Sequence, residues 1–286
     1  MERIEIPYLE QVLKSTDCTK VCPFCIAKAY RFKFANMHEG KDNFEKNDEV
    51  FQFLQDNNVF FSKGYYLSGQ GEPSLYSKET LEQIFTSVKK KISIFNNKAT
   101  FCSSGHIFNE IDKVEMIQHL LGDCFKILVL RVAFDAERDR TILNYEKDYL
   151  NTDTFKSSNN VVHIGLTKHI NPQTFSEDLE RFIEENPSVS QIEIKTLAQG
   201  PIDTQQTKWL KKNGLNNDEE LAIYDSLVKR FNPDNVYNFN INGTNVRKFY
   251  SSKLGNEVVL TGGVLVNYEG SPITIQKLEE INNGAK

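Results

Sequence analysis

The chain has 286 residues, 39% hydrophobic and 26% charged, with a formal net charge of −5 and a pI near 5.7. It can bury a full core. The acidic balance argues against a broad nucleic-acid surface, which is usually basic, and no apolar run approaches the roughly eighteen residues of a membrane span. Met1–Ile6 has neither the basic start nor the apolar block of a signal peptide. Three clustered and two scattered cysteines do not resemble a disulfide framework, so a reducing cytoplasm is the expected compartment.

A first strand is expected within residues 5–15, running into Asp17-Cys-Thr-Lys-Val-Cys-Pro-Phe-Cys-Ile26. Cys18, Cys22 and Cys25 form a C-x3-C-x2-C run, and soft thiolates so close together select zinc or iron–sulfur clusters. Three ligands from one loop would leave one iron of a [4Fe–4S] cluster open to a small molecule. A structural zinc site needs a fourth ligand, for which His38 is the nearest candidate. Cys22-Pro-Phe-Cys25 alone would suit a redox pair, but Cys18 then has no role. Buried thiols are the remaining reading, although Asp17, Thr19 and Lys20 make the loop polar.

A helix is expected over Ile26–Phe34 or Asn43–Gln55, then a second strand over Val59–Leu67. Residues 65–76 follow as Tyr-Tyr-Leu-Ser-Gly-Gln-Gly-Glu-Pro-Ser-Leu-Tyr. As a dinucleotide loop this is poor: Ser74 replaces the third glycine, Pro73 interrupts the turn, and Lys91 stands where an acid is needed. A strand-to-loop turn with no ligand is the other reading from the residues alone.

Together, the C-x3-C-x2-C loop with Phe24 before its third cysteine, and Ser68-Gly-Gln-Gly-Glu-Pro73 about forty-five residues beyond it, resemble the radical S-adenosylmethionine (radical SAM) enzymes. The resemblance implies a single [4Fe–4S] cluster on Cys18, Cys22 and Cys25. It implies S-adenosylmethionine near Ser68, Gly69, Gly71, Glu72 and Pro73, with glycines allowing close backbone approach and Glu72 offering a carboxylate to the methionyl ammonium.

The remaining elements continue the alternation. Lys78–Lys91 reads as a helix, Lys98–Cys102 as the third strand and Glu110–Leu121 as its helix. The nearly all-apolar Phe125–Phe134 reads as a doubly covered parallel strand. Val161–Leu166 and Gln191–Leu197 are the fifth and sixth strands, with helices over Phe175–Glu185 and Glu219–Phe231. Six strand–helix units predict an α/β fold, and the resemblance implies a partial (βα)6 barrel. Both motifs then fall at the carboxyl ends of strands, where such folds place their chemistry. From residue 232 short strands are expected over Asn235–Phe239, Val246–Ser251, Glu257–Leu260 and Val264–Tyr268. Asn242-Gly243, Leu254-Gly255-Asn256 and Gly262-Gly263 provide turns, and the chain end from Asn282 is expected to fray. The expected domains are a barrel over 1–231 and a small C-terminal β extension over 232–286, a capping sheet or a grip for a macromolecular substrate.

Carried further, the resemblance implies that Ser103 and Ser104 contact the cofactor; a helix cap is the competing reading. It also implies that Arg131, costly to bury without an anion, meets the methionyl carboxylate; an ion pair with Asp135 or Glu137 is the alternative. His106, Lys168, His169, Lys195 and Gln199 are pocket candidates whose positive character points to an anionic or polar substrate, while His163 suits a core position equally. Cys102 and Cys124 read as buried small hydrophobes, and no cysteine follows them in this sequence, so neither the auxiliary clusters of peptide maturases nor a C-terminal methyl-relay thiol is expected. The implied function is reductive cleavage of S-adenosylmethionine to a 5′-deoxyadenosyl radical that takes hydrogen from a small polar or nucleotide-like molecule. A flavodoxin- or ferredoxin-type protein would be the electron donor. The alternatives are a peptide or RNA substrate, or a non-catalytic zinc- or cluster-binding protein. No membrane partner is expected.

Overall fold

The structure is a computed structural model and describes residues 2–13, 18, 22–23, 25, 43–69, 71–143, 149–197, 205–235, 237–248, 258–267 and 271–284. The expected helix over Ile26–Phe34, the candidates His38 and Gln199, and the Leu254–Asn256 turn lie outside these residues. Two compact units divide the chain: residues 1–18, 30–126 and 251–286, and residues 19–29 and 127–250.

In the first unit, β1 (Ile4–Leu13), β2 (Val59–Gly69) and β3 (Ala99–Ser103) alternate with α1 (Asn47–Asp56), α2 (Lys78–Lys90) and α3 (Ile111–Leu121). β10 (Val258–Thr261) adds to the free side of β1, and β11 (Val264–Val266) returns beside it, giving the order β11-β10-β1-β2-β3. All pairs but β10–β11 are parallel. Leu81, Ile84, Phe85 and Val88 fall at helical spacing in α2, so one stripe of that helix is buried. Beneath the helices lies an aromatic core in which Phe51, Tyr65 and Phe61 surround Phe95, at centroid distances of 5.2, 5.3 and 5.6 Å. Tyr65 is fully buried, and its hydroxyl is satisfied by Gln11 Oε1 at 2.7 Å. Gly64 has φ +104°, and a Cβ there would stand 2.6 Å from Lys98 O, so β2 and the segment leading to β3 approach too closely for any side chain.

The second unit runs through β4 (Phe125–Arg131), α4 (Ala136–Leu143), α5 (Asp153–Ser157), β5 (Asn160–Leu166), α6 (Phe175–Glu185), β6 (Val189–Thr196), α7 (Gln205–Asn213) and α8 (Asn217–Arg230). It closes with β7 (Pro233–Asn235), β8 (Asn238–Ile241) and β9 (Thr244–Lys248), in the strand order β4-β5-β6-β9-β8-β7. β4, β5, β6 and β9 are parallel, whereas β8 runs antiparallel to β9 and β7 antiparallel to β8. Asn216 caps α8 in a full capping box with Glu219. The Asn242-Gly243 turn between β8 and β9 has φ 49° and 87°, the left-handed pair a two-residue hairpin demands. Gly262-Gly263 does the same between β10 and β11, with φ 56° and 76°.

The sheet is therefore mostly parallel, as expected of an α/β chain. Residues 232–286 do not stay together. β9 lies parallel to β6 in the second unit, and β10 lies parallel to β1 in the first. Nor does the chain fray at Asn282. α9 (Ile275–Gly284) buries Leu278 and Ile281, and the Asn282 side chain accepts the backbone N–H of Glu5 at 3.0 Å. That hydrogen bond satisfies a backbone donor of β1 that the ladders leave over. Among the described residues, no helix is long and apolar enough to cross a membrane.

Candidate cluster and cofactor site

Parallel pairing sets Leu13 at the end of β1 opposite Gly69 at the end of β2, so the segment entering the cysteine loop and the Gly-Gln-Gly-Glu-Pro turn leave the sheet at the same edge. A Cβ at Gly69 would meet Gly71 O and Pro73 Cγ at 3.3 Å and Leu13 O at 3.5 Å, so the turn is packed as tightly as a glycine permits.

All five cysteines are free. Cys18 is exposed and Cys22 and Cys25 partly so, on a turn in which Cys25 N–H donates to Cys22 O at 3.2 Å. Among the described residues no group of three His, Cys, Asp or Glu side chains stands close enough to hold a metal ion. The fit to a cluster is therefore one of donor chemistry, three accessible reduced thiols within eight residues, rather than of a ready-made cage. Cys102 and Cys124 are partly exposed, not the buried hydrophobes expected.

Glu72 is 1% exposed. Its Oε1 accepts the Ser74 hydroxyl at 2.7 Å, the Ser103 hydroxyl at 2.9 Å and Ser74 N–H at 3.2 Å, while Oε2 accepts Ser104 N–H at 2.5 Å. Four donors from two loops satisfy a carboxylate that would otherwise be costly to bury. With the carboxylate buried among protein donors, the side chain braces the turn from within. Ser103 Oγ also accepts Gly105 N–H at 2.9 Å and Ile107 N–H at 3.3 Å, so it builds the start of the short 3₁₀ turn His106–Asn109. Its hydroxyl is committed to the cap reading. His106 Nδ1 lies 2.9 Å from the Ser74 hydroxyl, and Lys113 Nζ donates to Ser74 O at 2.8 Å, extending the brace into α3. Ser68 Oγ donates to Glu10 Oε1 at 2.6 Å, joining β2 to β1.

Arg131 also departs from expectation. It is 1% exposed, and its guanidinium lies 5.5 Å from the ring of Phe182 in α6, so it points into the helix-covered side of the second unit. Nε donates to Ala133 O at 3.3 Å and Nη2 to Phe134 O at 3.2 Å. The carboxylate it meets in the fold is Asp139, 3.7 Å away and wholly buried, rather than Asp135 or Glu137. Asp139 Oδ1 also accepts Val132 N–H at 2.7 Å and Ala133 N–H at 3.3 Å, and Asp135 instead caps α4 through Arg138 N–H at 2.7 Å. The pair pins the β4–α4 loop.

One residue out of phase, and hence on the opposite sheet face, His163, Glu193 and Arg247 stand side by side across β5, β6 and β9. His163 Nε2 lies 2.5 Å from Glu193 Oε2, while Glu193 Oε1 accepts Arg247 Nη2 and, at 2.7 Å, Gln191 Nε2. Burial pushes the Glu193 carboxyl up, but His163 and Arg247 outweigh it and hold the pKa down at about 2. Burial draws His163 below its usual value against the pull of Glu193. The row is a structural motif that residue-type reasoning on His163 alone did not find; the alternation of Glu193 with Ile192 and Ile194 was its only sequence signal. Lys168 is exposed, Lys195 is partly buried, and His169 packs beside Trp209 with centroids 6.3 Å apart.

Two structures of SuiB from Streptococcus suis share this fold. The structure bound to S-adenosylmethionine has a TM-score of 0.54 at 12% identity, covering 86% of this chain and 51% of that one. The structure bound to precursor peptide SuiA has a TM-score of 0.54 at 13% identity, covering 86% and 49%. At such identity the likeness is one of fold, and the chain spans about half the length of SuiB. No curated protein sequence matches the chain. Residues 10–150 match the family model described as a 4Fe-4S single cluster domain, a stretch that opens in β1 and takes in both motifs. The matched stretch and the shared fold support the resemblance to the radical SAM superfamily. The matched stretch contains all five cysteines and the Glu72 brace.

Proposed function

We propose that the chain is a radical SAM enzyme with its chemistry in residues 1–231, arranged as a partial (βα)6 barrel, and with residues 232–286 supplying flanking strands. The observation that carries this is the shared sheet edge. A three-thiol loop leaves β1 where a glycine turn, braced by a buried carboxylate, leaves β2. When bound, the cluster supplies the electron that cleaves S-adenosylmethionine to a 5′-deoxyadenosyl radical, which takes hydrogen from the substrate.

Cys18, Cys22 and Cys25 would hold the cluster as thiolates. Ser68, Gly69, Gly71 and Pro73 would border the methionyl group, with backbone carbonyls of the turn accepting its ammonium. Glu72 would act by fixing those carbonyls rather than by touching the ligand, Ser103 by holding Glu72, and the Ser104 hydroxyl would lie at the cofactor's edge. The substrate we favour is a small polar or nucleotide-like molecule, with electrons from a flavodoxin- or ferredoxin-type donor. A peptide substrate is the second reading, favoured by the precursor peptide bound to SuiB.

Anaerobic reconstitution tests the proposal. Four irons and four sulfides per chain, with slow formation of 5′-deoxyadenosine from S-adenosylmethionine under dithionite, are expected. One zinc per chain, or a full cluster that never yields 5′-deoxyadenosine, would refute it.

A further inference from the structure

A hollow of about 560 Å³ in the second unit has Pro23, His169, Gln205, Lys208, Trp209 and Lys212 among its lining residues. That volume falls within the roughly 300–1,000 Å³ typical of small-molecule sites. α7 builds its cationic wall, because Lys208 and Lys212 are four residues apart and so share one helix face, with Trp209 beside them. One hydrogen bond ties the opposite wall to α7, Lys168 N–H donating to Asn213 O at 2.8 Å, while His169 N–H donates to Thr167 Oγ1 at 3.3 Å within that wall and the Asn213 side chain to Trp209 O at 2.9 Å within α7. They bring His169 to Trp209, tilted 32° from it, so two flat rings border the space.

Among the described residues, none that lines this hollow is acidic, although the chain as a whole carries −5. A neighbouring hollow of about 490 Å³ shares His169 but is lined by Asp135, Asp178 and Glu185 together with Arg138 and Arg181, and so has no preference of sign. Burial, aided by Arg138, holds His169 below the usual histidine pKa, so near neutral pH the ring serves as a neutral surface and the lysines carry the charge. Pro23, one of the lining residues, lies between Cys22 and Cys25 in sequence.

We propose that this hollow binds a small anionic molecule bearing a flat ring, the ring against Trp209 and His169 and a carboxylate or phosphate against Lys208 and Lys212. That this molecule is the enzyme's substrate rests on the radical SAM reading; that the hollow binds such an anion does not.

Trp209 is the chain's single tryptophan, so its fluorescence reports directly on the hollow. The full-length chain is titrated with phenyl phosphate, benzoate and neutral phenol, and with a short oligoglutamate peptide, while iron loading is measured separately. Saturable quenching by phenyl phosphate or benzoate is expected, with phenol about tenfold weaker; which anion binds better distinguishes phosphate from carboxylate. The Lys208→Ala/Lys212→Ala variant, with unchanged melting temperature, should lose about tenfold in affinity for the better anion by calorimetry. S-adenosylhomocysteine should not displace that anion. Equal binding of phenol, no response to either small anion at millimolar concentration, quenching by the peptide alone, unchanged affinity in the double variant, or displacement by S-adenosylhomocysteine would each overturn the proposal. A chain that binds the anion but loads no cluster would instead sink the enzyme reading and leave the anion site standing.

Discussion

The Ser103 hydroxyl donates to the Glu72 carboxylate at 2.9 Å across 31 positions of sequence, so the turn after β2 and the end of β3 are held by one buried anion. Backbone N–H groups of Ser74 and Ser104 reach the same carboxylate from either side. The turn after β2 is therefore shaped by a buried side chain tied to the end of β3.

Glu72→Gln should destabilise the metal-free protein by about 1.5–3 kcal/mol, the scale of hydrogen bonds to a charged group, because an amide NH₂ replaces one acceptor among four donors. Affinity for S-adenosylmethionine should fall with it as the turn loosens. Denaturant titration and calorimetry on the reconstituted variant measure both. Weak cofactor binding at unchanged stability would mean that the carboxylate meets the ligand directly.

Asp139→Asn should cost about 3–5 kcal/mol, since it strands the buried Arg131 guanidinium and weakens the acceptor of two backbone N–H groups. In the fraction that folds, affinity for S-adenosylmethionine should be unchanged. A folded variant with normal stability and impaired cofactor binding would restore Arg131 to the cofactor site.

Much of the fold was legible because its strands are short apolar runs and its hairpins carry Asn-Gly and Gly-Gly. α6 falls on the expected Phe175–Glu185, and both motifs do leave strand ends. Partners distant in sequence were not legible. Arg131 has acids at 135 and 137 nearer than Asp139, but α4 turns Asp135 to its own N-terminus and Asp139 back toward β4. α7 escaped notice because only Gln206, Thr207 and Leu210 are buried in it, which leaves almost no apolar period to read. The grip of Asn282 on Glu5 spans 277 positions, and neither residue type signals the other.

Replacing Cys18, Cys22 or Cys25 with alanine should each abolish iron loading, since a three-thiolate site has no spare ligand. Cys102→Ala and Cys124→Ala should retain full iron despite their partial exposure. Iron and sulfide assays after anaerobic reconstitution decide this. Complete loss of the cluster in either of the last two would show that the ligand set is drawn wrongly.

The row His163–Glu193–Arg247 makes stability depend on pH in one direction. Burial lowers the folded pKa of His163 below its ordinary 6.5, so just below that pH the unfolded chain binds more protons and stability falls as the solution is acidified. Glu193 is lowered from 4.5 to about 2, so its contribution is complete above 4.5 and is lost as pH falls toward 2. The two losses add, the histidine first and the carboxylate after it. His163→Gln should flatten the unfolding free energy between about pH 6.5 and 5 and, by removing one of the two groups that hold Glu193 down, lessen the fall below pH 4.5. Denaturant midpoints across that range measure the slope. An identical slope in wild type and variant would show that His163 takes up its proton equally in the folded and unfolded chain, and that Glu193 is held down by Arg247 alone.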